Sequence, residues 1–140
     1  MKSIEDAYHE LCAYTLTLGD SAFIHQHVVD AFAAQNADEC TKPINLAFAL
    51  IGLYLHLEKQ FSGREVRHAH QLLARKKRTW PLFSLPSDRG TMTAADVLAV
   101  SKGLDRAEAI DRWCAEVWNA FHANHQMVKE LVPILEKLKR

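Results

Sequence analysis

Apolar residues recur at three- and four-residue intervals along almost the whole chain, the spacing of amphipathic helices rather than strands. Ser3 and Asp6 stand at capping-box spacing, so a first helix is predicted from Ser3,. Its stripe is Ile4, Tyr8, Leu11, Cys12 and Thr15, and Gly19-Asp20 ends it,. A second helix is predicted over about residues 21–37, with Ile24, His25, Val28, Val29 and Phe32 as its apolar face,. On that wheel His25 faces inward. His27 lies about 200° away at ~100° per residue, beside Phe23, Asp30 and Ala34,.

Thr41 and Pro43 announce a third helix, apolar on nearly every side over residues 44–57 and therefore central,. Its exception is the stripe Asn45, Ala49, Gly52 and His56. Small side chains there admit a close neighbour, and the polar ends of the stripe then require partners. Ser62 and Glu65 form a second box, opening a fourth helix over about residues 62–78,. Val66, Ala69, Leu72 and Leu73 face in, and Arg64, Arg67, His68, Arg75 and Arg78 face out. Pro81, Pro86 and Gly90 make residues 80–90 a loop, and Thr93 with Asp96 starts a short helix ending near Val100,.

The last pattern begins at Asp105, with Glu108 in box position, and carries Ala107, Ile110, Cys114, Val117, Phe121, His125, Val128, Val132 and Leu135 on one stripe. A break is expected near Asn124 or near Pro133,. The expectation is an all-α fold: one domain over residues 1–140, a compact bundle of five or six helices around the third,.

Composition narrows the function classes. Half the chain is apolar (49%), which supports a packed core rather than disorder,. Seventeen basic residues balance seventeen acidic ones, which argues against a general nucleic-acid or membrane binder,. The longest apolar run, residues 46–55, is too short to span a bilayer,. No basic-then-apolar leader is visible, so the cytoplasm is the expected location,. Cys12, Cys40 and Cys114 are widely spaced and include no C-x-x-C pair; Cys12 and Cys114 read as small apolar fillers,.

The candidate chemistry lies in the histidines. His25 and His125 fall on apolar faces and His56 on the small-residue stripe. Three imidazoles directed inward from three helices could hold one divalent ion, zinc first, with water in an open position. His27 and His122 are further candidate ligands, and Glu58 or Asp30 could serve as a supporting carboxylate or base,. The working expectation is metal-assisted, hydrolase-like chemistry on a small-molecule substrate. Two other classes compete. One is a non-catalytic interaction or scaffold protein, with a homodimer as one form, using a patch around Trp80, Leu82 and Phe83,. The other is a nucleic-acid accessory protein gripping phosphates with Arg64, Arg67, Arg75, Lys77 and Arg78, although no DNA-reading motif accompanies that helix,.

Three segments carry a resemblance: His25-Gln26-His27-Val28-Val29-Asp30-Ala31-Phe32-Ala33-Ala34-Gln35, Gly52-Leu53-Tyr54-Leu55-His56-Leu57-Glu58, and Val117-Trp118 followed by His125. In these the chain resembles a family of small bacterial proteins built on a domain of unknown function. The resemblance implies a helical fold and draws attention to the same histidines, without implying an activity.

Overall fold

The computed structural model describes residues 3–75 and 79–132. Those residues form seven α-helices and one 3-10 turn, and no strand. The helices are α1 (Ile4–Thr17), α2 (His25–Gln35), α3 (Pro43–Lys59), α4 (Gly63–Ala74), α5 (Ala94–Leu98), α6 (Leu104–Ala120) and α7 (His125–Glu130), with the turn His122–Asn124 ahead of α7. The all-α fold is as the periodicity requires.

Local sequence chemistry sets most of the boundaries. Ser3–Asp6 and Ser62–Glu65 each form the reciprocal capping box, satisfying backbone N–H groups left free at a helix start, and at Thr93–Asp96 the Asp96 carboxylate accepts from the Thr93 N–H at 2.8 Å,. Pro43 opens α3, where its missing N–H costs nothing,. Gln60 closes α3 in the left-handed region at φ 61°, and Phe61 N–H then donates back to Leu55 O,. The box expected at Asp105–Glu108 does not form. Gly103, at φ 95°, precedes α6 instead, and no side chain caps it. The last long pattern breaks between Ala120 and His125, through the 3-10 turn; Pro133 and Leu135 lie outside the described residues.

α3 is the central helix and packs against α2, α4, α6 and α7. Leu50, Ile51, Leu53 and Leu55 are fully enclosed, and Trp113 and Phe121 are the largest buried side chains from the opposite wall. α2 is wedged between α3 and α6 and also touches α1 and α4. The connection through residues 79–92 is fastened rather than loose. Gln35 Nε2 donates to Met92 O at 2.7 Å while Trp113 Nε1 donates to Gln35 Oε1 at 3.0 Å. Asn124 exchanges hydrogen bonds with the Ser84 backbone at 2.9 Å in both directions. Glu116 Oε1 accepts from the N–H groups of Thr91 and Met92 at 2.6 and 3.1 Å.

Candidate functional site: a stacked histidine pair at a cleft

The buried face of α2 differs from the one drawn on the wheel. His27, Val28, Asp30, Ala31 and Ala34 are its enclosed residues, whereas Ile24, His25, Val29 and Phe32 are half-buried, His25 and Phe32 against Thr15 and Tyr8 of α1. The reason lies in α3. Ala49 and Gly52 present almost no side chain, so α2 comes close with its own small residues and with two polar ones, His27 and Asp30. A search for bulky apolar side chains selects the other face.

His27 is only 3% exposed. Its ring stacks on that of His56, with centroids 3.5 Å apart and planes 16° from parallel. His56 Nδ1 lies 3.1 Å from Phe61 O and Nε2 lies 2.8 Å from Asp111 Oδ1. A carbonyl oxygen only accepts, so Nδ1 carries a proton and donates it. Nε2 and the Asp111 carboxylate are then two electron-rich groups in contact, and a cation between them, a proton or a metal ion, satisfies both. His27, His56 and Asp111 line one wall of a cleft of about 350 Å³ whose other polar residues are Gln60, Ser62 and Glu65. Burial, and next the neighbouring His56, pull His27 down to about 3, so its ring is neutral near pH 7,. His27 Nδ1 is buried and has no hydrogen-bond partner.

The three histidines singled out as a ligand set go to three neighbourhoods. His25 Nδ1 is 2.9 Å from Thr15 Oγ1, whose own hydroxyl is directed at backbone carbonyls of α1. His125 stacks on Trp118 with centroids 3.7 Å apart, and its Nε2–H donates to Trp118 O at 2.8 Å. His56 alone reaches the cleft, with His27, which the wheel had placed away from the core. His122 is exposed and bonded to Asn119 O. Glu58 accepts from Trp118 Nε1 at 2.8 Å and sits 3.7 Å from Lys129 Nζ, at the His125 end of the bundle. Among the described residues no three His, Cys, Asp or Glu side chains stand ready as a metal cluster. Asp111 was missed altogether. It lies on the polar side of the α6 pattern, where nothing in one sequence separates it from a solvated charge.

Asp30 is enclosed, with Oδ1 receiving Gln26 Nε2 at 3.1 Å and Oδ2 unpartnered. Burial raises its carboxyl well above the ordinary range, so it holds its proton,. Burial likewise raises the Cys114 thiol, whose Sγ is 3.6 Å from His27 O, which fits an inert filler,. Of the proposed apolar patch, Trp80 and Phe83 pack onto the core and Leu82 is 81% exposed. Of the basic helix, Arg64 Nε donates to Ser21 O and Arg67 lies over the Phe23 ring; Lys77 and Arg78 lie outside the described residues. No helix among the described residues is long and apolar enough to cross a membrane.

Fold and cleft together define an all-helical protein with a paired-histidine, carboxylate-flanked site. Residues 5–122 match the family of unknown function DUF5946, and the chain belongs to that family. Neither curated proteins nor solved structures yield a match.

Proposed function

We propose that the protein binds one divalent cation, zinc-like in its preferences, at His27, His56 and Asp111, and uses it for hydrolase-like chemistry on a small molecule in the adjoining cleft. One observation carries the reading: the His27–His56 stack that ends on Asp111, with His56 Nε2 2.8 Å from the carboxylate. His56 has the posture of a metal-ligating histidine, its other ring N–H held by a backbone carbonyl,. A neutral His27 ring is also in the form that ligates metal,.

Parallel rings direct their in-plane lone pairs side by side rather than toward one point. Loading the ion therefore requires one imidazole to turn out of the stack. Ligand atoms of a tetrahedral site with ~2.0 Å bonds sit about 3.3 Å apart, so His56 Nε2 and Asp111 need only separate slightly. The ion would supply Lewis acidity and a more acidic water. Gln60, Ser62 and Glu65 stand along the cleft to meet a polar substrate.

Metal content of the untagged protein, measured by elemental mass spectrometry after zinc, manganese or iron loading, tests this. About one equivalent is expected, with affinity reduced roughly 100-fold or more by His56→Ala or Asp111→Ala and unchanged by His125→Ala. Absence of uptake, or equal uptake in the His56 and Asp111 variants, overturns the proposal.

A further inference from the structure

Two buried side-chain polar atoms among the described residues lack a hydrogen-bond partner, His27 Nδ1 and Asp30 Oδ2. They belong to residues three apart on α2, which places their side chains on one face a turn apart, with Cβ atoms roughly 5–6 Å from each other. Each meets α3 at a matching turn. His27 stacks on His56, and Asp30 lies against Gly52, four residues earlier. An unpaired buried polar atom destabilises the fold, so two orphans on one face in adjacent turns call for a common account.

We infer that Asp30 is a positioning residue for His27, its Oδ2 coupled to His27 Nδ1 through one buried water, so that Nε2 is the nitrogen offered to the cleft. This rests on the metal reading above for its purpose, though the coupling itself does not need a metal. A ligating histidine commonly has its second nitrogen fixed by a carboxylate, which sets the tautomer and the ring plane. The other Asp30 oxygen is anchored by Gln26, whose Nε2 donates to Oδ1 at 3.1 Å. Gly52 makes the arrangement possible: a Cβ there would stand 1.9 Å from Oδ2. The proton count is simple. With no metal the pair carries two protons, one between Oδ2 and Nδ1 and one on Nε2. A metal ion held at Nε2 would release the latter to solvent, and the former would stay on Nδ1 facing the carboxylate.

The test is the nitrogen-15 spectrum of the histidine rings in metal-free protein, compared for wild type, Asp30→Asn and Asp30→Leu, beside zinc affinity of the same proteins. The expected result is a hydrogen-bonded Nδ1 signal for His27 in the wild type. That signal should move in Asp30→Leu while the His125 ring signals stay in place. Zinc affinity should fall about 10- to 100-fold in Asp30→Leu and less in Asp30→Asn, which keeps an acceptor. Unchanged His27 signals in the two variants overturn the inference, whatever the metal does. If Asp30→Leu does not fold, Asp30→Asn and the wild-type Nδ1 signal still decide. Changed His27 signals in a protein that takes up no metal would uphold the coupling and refute the metal reading alone.

Discussion

Gly52→Ala isolates the close approach of α2 and α3 behind the site. An ideal Cβ at position 52 would lie 1.9 Å from Asp30 Oδ2 and 2.6 Å from its Cγ, against ordinary contacts of about 3.5–4.0 Å. Asp30 cannot swing clear, because it is enclosed and Gln26 holds its Oδ1. Overpacking of this kind costs about 1–3 kcal/mol, and an overlap this deep belongs at or beyond the upper end. Alanine in a helix interior returns about 1 kcal/mol relative to glycine. The net expectation is a loss of about 2 kcal/mol, a large part of a typical total of roughly 5–15 kcal/mol. Urea unfolding, followed by fluorescence of buried Trp113 and Trp118, reads this as a lower midpoint at constant slope. The same substitution in an Asp30→Ala background should be neutral or stabilising by up to about 1 kcal/mol, because only the helix-propensity gain remains. Equal losses in both backgrounds would show that the carboxyl is not what Gly52 accommodates, and the packing argument would fail.

Three further outcomes follow from close packing and burial elsewhere in the bundle. Gly63 opens α4 beneath the Phe23 carbonyl, where a Cβ would come within 1.7 Å of the oxygen; backbone cannot yield as a side chain can, so Gly63→Ala should cost about 2–3 kcal/mol, and an unchanged melting temperature would refute it. Burial lowers His27 to about 3 and His70 to about 4, from an ordinary value of 6.5. Both therefore take up protons on unfolding, and their contribution is present above pH 6.5 and is lost as pH falls toward those values. Each accounts for about 2 kcal/mol between pH 7 and pH 5, and a His70→Gln variant should show a shallower decline in unfolding free energy; an identical decline would contradict this. Asp30 has the opposite sign. Its raised folded value makes its contribution fullest below the ordinary carboxylate value of 3.8 and lost as pH rises through the folded value,, so Asp30→Asn should gain on the wild type as pH is raised.

Short-range chemistry made much of this protein legible from sequence. Ser3, Ser62 and Thr93 cap their helices with residues three positions on, Pro43 starts α3, and the unbroken apolar run of α3 marks the centre of the bundle, because caps and burial patterns act within one or two turns,. The stripe through Gly52 and His56 pointed to a close neighbour, and α2 is that neighbour. Tertiary structure alone decided which neighbour faces which polar group. A helix wheel weighs bulk, so it turned His25 and Phe32 inward; contact with both α3 and α6 instead enclosed His27, Asp30 and two alanines. It also separated His25, His56 and His125, whose common inwardness said nothing about a common place, since each buries against a different partner. Asp111 became part of the site because α6 crosses α3 at His56, and that crossing is set by the packing of whole helices rather than by any residue near Asp111 in the chain,.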